Sequence, residues 1–312
     1  MELIYFDEYI KKYNYDLVCT IGAFDGIHHA HQRLIKHTVF LGKDLNYKSA
    51  VITFDPHPQV FLKKVDKESL INSFESNRKI IESLGIDFLI VIPFNDVFAN
   101  ISPVDFVNNY LIKLNIKEVV VGIDFRFGRG GLGSPTDIAA LSNNKINVSI
   151  FELINYENEK IGSTRIRDLL LNGSLELANK LLGYNYWFEG EVIGGNNIGE
   201  KIGFPTANIK NNQIKKILKP GVYGVKIKVN NNFYLGMMNI GHNPTCNLSD
   251  ELSTEVNIFD FNEKIYGKVV LIICLIYVRE EIKFNSTEEL ISQLRKDKEI
   301  IINKIPYSCK NI

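Results

Sequence analysis

Apolar and polar positions along this chain follow two rhythms, and the change between them falls near Leu182–Trp187. Before it, apolar runs at Leu17–Ile21, Ser49–Phe54, Phe88–Ile92, Glu118–Val121 and Val148–Leu153 read as strands. Between them lie segments with helical spacing, Gln32–Leu41, Asn77–Leu84, Pro103–Leu114 and Asp137–Leu141. Ser102 with Asp105 three residues later marks a capped start for the third of these. Strands alternating with helices predict an α/β domain with a doubly wound parallel sheet covered on both faces. Ligands of such sheets bind beyond the carboxyl ends of the strands, where the strand-to-helix turns lie.

After the change, short strands dominate: Trp187–Val192, Gly221–Val229, Phe233–Ile240, Ser253–Phe259 and Val269–Val278. Clusters of Asn, Gly and Pro separate them, and "VNNNF" at Val229–Phe233 predicts a hairpin. One helix closes the chain, entered at Ser286 with Glu289 three residues on. Strands with a single terminal helix predict a small antiparallel β-barrel. The expected domains are 1–183 and 184–312.

Composition narrows the function classes. Thirty-six basic and 36 acidic residues cancel, so no whole-chain attraction to nucleic acid or to an anionic membrane is indicated. A nucleotide would have to be held by a local site. The N-terminus lacks the basic start, apolar core and small-residue cleavage site of a signal peptide. The longest apolar run, Val269–Val278, is too short to span a bilayer as a helix and is rich in strand formers. The cysteines Cys19, Cys246, Cys274 and Cys309 form no C-x-x-C pair, and two of them sit in strand-like runs where cysteine acts as a small hydrophobe. A reducing cytoplasmic setting is expected.

Candidate chemistry begins at "TIGAFDGIHHAHQRL", where three histidines crowd the first strand-to-helix turn. His28 and His31 are three apart and share a helix face, whereas His29 points elsewhere. Gly22 and Gly26 suit a tight turn that a ligand approaches closely. Two imidazoles at a helix N-terminus suit the phosphates of a nucleotide; a solvated chance cluster or plain helix capping would give the same residues. A zinc reading lacks the further ligands it needs. "GRGGLG", Gly128–Gly133, formally fits a dinucleotide fingerprint but does not open a strand–helix unit, so a loop near the nucleotide is the better reading. No P-loop is present: in "GGNNIGEK" Glu200 stands where the lysine belongs.

"GAFDGIHHAH" resembles the signature of the nucleotidylyltransferases, specifically of bacterial bifunctional riboflavin kinase/FMN adenylyltransferase (FAD synthetase). "TFDPHP", "VVVGIDFRFG" and "GSTRIRDLLLNGSLELANKLLG" resemble further motifs of the family's first half, in order. "GFPTAN", "GVYGV", "NIGHNPT", "TEVNIFDFNEKIYG" and "VREEIKF" resemble its kinase half. Essentially the whole chain is covered.

The resemblance implies two ATP-consuming steps with Mg²⁺, riboflavin to FMN in the C-terminal half and FMN to FAD with release of pyrophosphate in the N-terminal half. In the N-terminal half it implies nucleotide contacts from Gly22, Phe24, Asp25 and Gly26 and stabilisation of triphosphate charge by His28 and His31. Ser163, Thr164 and Arg167 would form a second phosphate clamp, and Asp124 and Phe125 would meet adenine or ribose. Asp55, Pro56 and His57 would line the flavin side. Read without the family, Ser163 and Thr164 make a helix cap and "DPHP" a turn.

In the kinase half, Gly203, Pro205, Thr206 and Asn208 of "GFPTAN" would bind nucleotide, with Thr206 and Asn208 also holding Mg²⁺. Glu255 would take the proton of the flavin ribityl hydroxyl. On spacing alone Asn208 is equally a turn former and Glu255 an outward strand residue. Arg279 and Lys283 either contact flavin or decorate the barrel's exit. Four positions depart from the family's pattern: Ala30 and Gly162 in the first half, Glu200 and Asn243 in the second. Small-molecule substrates are the expected partners, with no nucleic acid or membrane, for a monomer or weak homo-oligomer. The alternatives are a riboflavin kinase with a degraded first half, or a flavin-binding regulator without turnover.

Overall fold

The computed structural model describes residues 1–7, 14–195, 199, 202–211, 214–242 and 252–305, which form two compact units, Met1–Ser163 and Thr164–Ile312. In the first unit, strands β1 (Glu2–Tyr5), β2 (Leu17–Ile21), β3 (Lys48–Asp55), β4 (Phe88–Pro93), β5 (Ile116–Gly122) and β6 (Asn147–Phe151) make one parallel sheet in the order β1-β4-β3-β2-β5-β6. Successive side chains of a strand point to opposite faces. Accordingly Cys19, Ile52 and Ile90 join one apolar core with Phe98, Phe106 and Leu111, while Val51, Leu89 and Val91 join another with Ile35 and Ile81. Both faces are covered, as the continuous apolar runs require.

The helices of this unit are α1 (His29–Asp44), α2 (Pro58–Phe61), α3 (Phe74–Ser83), α4 (Asp96–Ala99), α5 (Pro103–Phe106) and α6 (Asp137–Leu141). Ser102 caps α5 as its spacing implies: its hydroxyl accepts from the Asp105 N–H at 3.0 Å. The single helix expected over Pro103–Leu114 is instead α5 followed by a π-helical segment, Val107–Ile112. The wider turn there carries Tyr110, whose ring stacks on Phe6 at 4.7 Å. A two-stranded hairpin, β7 (Asn155–Tyr156) and β8 (Glu159–Lys160), follows β6. Its two turn residues, Glu157 and Asn158, both take positive φ.

The second unit carries α7 (Ser163–Leu171), which begins at the boundary, and α8 (Leu175–Leu182), and then closes a six-stranded antiparallel barrel. Its strands are β9 (Trp187–Ile193), β10 (Ala207–Lys210), β11 (Gly221–Val229), β12 (Asn232–His242), β13 (Leu252–Ile258) and β14 (Val269–Arg279), with α9 (Ile214–Ile217) after β10. The order around the barrel is β10-β13-β12-β11-β14-β9, and β9 pairs back to β10. Val229 pairs with Asn232 across the two-residue hairpin expected at "VNNNF".

The compact unit takes in α7 and α8, ahead of the change in sequence rhythm. The Asn179 side chain on α8 explains why: its amide donates to the Cys274 carbonyl at 3.0 Å, and its oxygen accepts from the Tyr186 N–H at 2.7 Å. The closing helix α10 (Thr287–Lys304) starts where its capping signal lies, with Ser286 Oγ accepting from the Glu289 N–H. Its Ile301 packs with Val222 and Met237 of the barrel's outer face.

Candidate active sites

In the first unit the strand order reverses at β2, which has β3 on one side and β5 on the other. That is where an open parallel sheet leaves a crevice. A cleft of about 600 Å³ occupies it, lined among others by Gly22, His28, His31, Asp124, Phe125 and Ser163. These come from the turns after β2 and β5 and from the start of α7, three separate stretches of sequence.

His28 is the N-cap of α1, and its Nδ1 accepts from the His31 N–H at 3.4 Å. A ring nitrogen that accepts carries no proton, so in the neutral ring the hydrogen sits on Nε2, which can donate. The two imidazoles stack with centroids 3.6 Å apart and planes at 17°. Burial, and then the nearby Lys160 cation, pull the His28 pKa down from 6.5 to about 4. Burial, then His28 and Lys160, hold His31 well below its ordinary value. Both rings are therefore neutral at pH 7 in the ligand-free protein. His29 is exposed.

The two glycines of the turn face protein rather than open space. A Cβ at Gly22 would lie 3.1 Å from the Phe24 ring, and one at Gly26 would lie 2.8 Å from Ile71. Gly26 also has φ +79°, a conformation that itself favours glycine. Asp25 is buried, and its Oδ1 accepts from the Ile71 N–H at 2.8 Å, which braces the turn from beneath. Ser163 Oγ donates to the Asp25 carbonyl at 2.9 Å.

Asp124 forms an ion pair with Lys160, which lines the same cleft from the exit of the β7–β8 hairpin. Nothing in the motifs of the sequence singles out Lys160. The positive-φ turn "YENEK" is the local signal that a short hairpin would place it. Asp55 and Pro56 are exposed and His57 half-buried; Pro58 and Gln59, together with Phe54, Phe94 and Phe98, line the cleft nearby. Thr164 and Arg167 belong to the second unit, where Arg167 Nη2 donates to Thr164 Oγ1 at 3.5 Å.

In the barrel, antiparallel register sets Glu255 opposite Asn208 on one side and Asn239 on the other. Residues opposite one another share a face of the sheet, so the carboxylate and both amides lie on one side. Thr206 Oγ1 donates to Glu255 Oε2 at 3.1 Å. The Asn257 amide donates to the Pro205 carbonyl at 2.7 Å and fastens the "GFPTAN" segment to β13. Gly195 stands against the Asn208 amide, where a Cβ would come within 2 Å of it. Gly203 and Pro205 are exposed. Arg279, expected to contact flavin or to decorate the barrel's exit, donates from Nε and Nη2 to the Asp297 carboxylate at 2.8–3.1 Å and from Nη1 to the Glu280 carbonyl. This arginine ties α10 to β14. Glu200, Asn243, Cys246 and Cys309 lie outside the described residues.

A family model described as FAD synthetase matches residues 10–165, and one described as riboflavin kinase matches residues 182–305. The bifunctional riboflavin kinase/FMN adenylyltransferase of Listeria monocytogenes is 41% identical over 283 residues, 90% of each chain. The corresponding protein of Bacillus subtilis is 40% identical over 294 residues, 93% of each chain. This chain belongs to the bifunctional riboflavin kinase/FMN adenylyltransferase family.

A crystal structure described as a macrolide-efflux protein from Streptococcus pneumoniae shares the fold over 97% of this chain and 99% of its own, with TM-score 0.88 and 31% identity. No described helix of the present chain is long and apolar enough to cross a membrane. The cleft with the stacked histidines falls within the FAD synthetase match, and Thr206, Asn208 and Glu255 fall within the riboflavin kinase match. Cys19 and Cys274 are buried thiols with raised pKa, held as apolar packing within β2 and β14.

Proposed function

We propose that this chain makes FMN from riboflavin and ATP in its barrel and FAD from FMN and ATP in the cleft of its parallel sheet. The observation that carries the second assignment is the stacked, buried His28–His31 pair at the switch point of the sheet. In adenylyl transfer an FMN phosphate oxygen forms a bond to the α-phosphorus of ATP while the bond to pyrophosphate breaks. The attacking group is already anionic, so the protein needs no nucleophile, and alignment and charge stabilisation suffice.

His28 Nε2–H supplies a neutral donor aimed from a helix N-cap. An arriving triphosphate raises the proton affinity of both rings, so positive charge accumulates where negative charge collects. Lys160 adds a fixed cation, and in the ligand-free protein Asp124 neutralises it. Ser163 at the far wall is tied to the same turn through Asp25. Phe125 and Asp124 supply an apolar and a polar surface for adenosine, and Phe54, Phe94 and Phe98 form an aromatic wall suited to a flavin ring.

In the barrel, Glu255 accepts the proton of the attacking ribityl hydroxyl. Mg²⁺ fits the neighbouring donors. Thr206 spends its hydrogen on Glu255, which leaves its lone pairs open, and Asn208 beside it offers an amide oxygen. When bound there, the ion would neutralise charge on the ATP phosphates. The chain is taken to act in the cytoplasm as a monomer or weak homo-oligomer.

The deciding experiment incubates purified protein with riboflavin, ATP and Mg²⁺ and separates the flavins by chromatography. Successive appearance of FMN and FAD is expected. FMN without FAD would leave a kinase with an idle first half, and tight flavin binding with neither product would leave a regulator.

A further inference from the structure

Gly22 has no positive φ, so the backbone at that position does not require glycine. Space requires it. The ring of Phe24 occupies the volume a side chain would take, with its Cζ 3.1 Å from the Cβ position. Phe24 itself sits in the left-handed region, φ 52° and ψ 44°, and is 3% exposed. Such a backbone conformation costs a non-glycine residue free energy and persists only where its surroundings enforce it. The enforcement comes from the ring, which is seated in the core with Ile27 and Ile35.

The edge contact of that ring reaches His31, with centroids 5.2 Å apart and planes at 81°. His31 Nδ1 is buried and has no hydrogen-bond partner among the described residues. No hydrogen bond at that nitrogen fixes the ring, so its orientation depends on the rings that touch it, Phe24 through an edge contact and His28 through a stacked one. A continuous line of ring contacts therefore runs from the Gly22 backbone through Phe24 and His31 to His28.

We propose that Phe24 is a positioning residue for adenylyl transfer: seated in the space left by Gly22, its ring sets the orientation of His31 and, through it, of His28. Gly22 is on this account a packing requirement of Phe24, not a point of close approach for the nucleotide. The inference rests on the assignment of the histidine pair to adenylyl transfer.

Its test uses the full chain and two readouts. The first is the NMR shift of the histidine Cε1–H groups without ligand, which reports ring currents in the stack and needs no assumption about function. The second is the initial rate of FAD formation from supplied FMN, with riboflavin phosphorylation as the internal control. Gly22→Ala should displace the Phe24 ring by a few tenths of an ångström, shift the His31 signal and lower FAD formation by roughly three- to tenfold. In a Phe24→Leu background, where the ring is gone, the added methyl should cause no further loss and no further shift. Phe24→Met serves in the same cycle if the leucine variant does not fold.

Equal, multiplicative losses from Gly22→Ala in both backgrounds would mean that the glycine faces the ligand, and would overturn the proposal. An unmoved His31 signal in Gly22→Ala would overturn it as well. Failure of the underlying assignment is seen separately, as undiminished FAD formation in His31→Ala.

Discussion

Thr206 Oγ1, just ahead of β10, donates to Glu255 Oε2 of β13 at 3.1 Å. The bond joins the residue suited to hold a cation to the residue suited to take a proton, so a change at one is felt at the other. Glu255→Gln keeps the shape and removes the base. FMN formation should fall by about 10²-fold or more, while FAD formation from supplied FMN is unchanged. Equal loss of both activities would contradict the division of labour between the units.

The reverse separation is expected in the other unit. His31→Ala removes half of the stacked pair and should lower FAD formation by about 10²-fold, the scale of a lost transition-state donor, with riboflavin phosphorylation intact. Lys160→Met should act differently, because its cation helps depress both imidazole pKa values. Histidine titration followed by NMR should show both values rising towards 6.5 in that variant.

Arg279 and Asp297 form a pair whose carboxylate is wholly buried and whose guanidinium side chain is 17% exposed. Gln293 Nε2 donates to the same carboxylate at 2.8 Å. Removing one partner leaves the other charge buried, which typically costs about 3–5 kcal/mol. Arg279→Met should therefore destabilise the second unit by that order in urea unfolding monitored at Trp187. Arg279→Met with Asp297→Leu should recover most of the loss, because no uncompensated charge remains. A double variant as unstable as the single one would mean that the bonds themselves, not the stranded charge, hold α10 in place.

The two rhythms of the chain were enough to read both architectures, because period-2 and period-3.6 patterns report directly which faces are buried. The His28–His31 pairing was legible for the same reason: a spacing of three from the N-cap into the first turn of a helix is a local relation. Residues whose roles depend on distant partners were not. Asp25 accepts from Ile71 and Arg279 pairs with Asp297, contacts that no local pattern encodes. Lys160 reaches the cleft only through a hairpin with two residues per strand, too short for a periodic signal. β1 was missed for a related reason: four residues at the sheet edge, exposed at both ends, show no alternation to read.

The depressed histidine pKa values also fix the direction in which acid affects the first unit. The folded protein holds His28 near 4, whereas the unfolded chain titrates near 6.5, so between these values the unfolded state binds more protons. Stability should be fully present above pH 6.5 and decline as pH falls. His28 alone should contribute a loss of about 2 kcal/mol between pH 7 and 5, since a tenfold difference in proton affinity is worth about 1.36 kcal/mol. The carboxylates with lowered pKa in the same unit, Glu75, Asp87 and Asp137, act below this window. The single tryptophan, Trp187, lies in the second unit, so fluorescence follows the barrel while circular dichroism follows both units. Acidification from 7 to 5 should move the dichroism transition that lacks a fluorescence counterpart. His28→Asn keeps a side-chain acceptor at the N-cap but cannot titrate, so it should remove the His28 share of that dependence and leave the share of His31, whose pKa is also held low. A variant whose first unit loses as much stability as the unaltered chain over the same range would show that the His28 ring takes up its proton as readily in the folded state as in the unfolded chain.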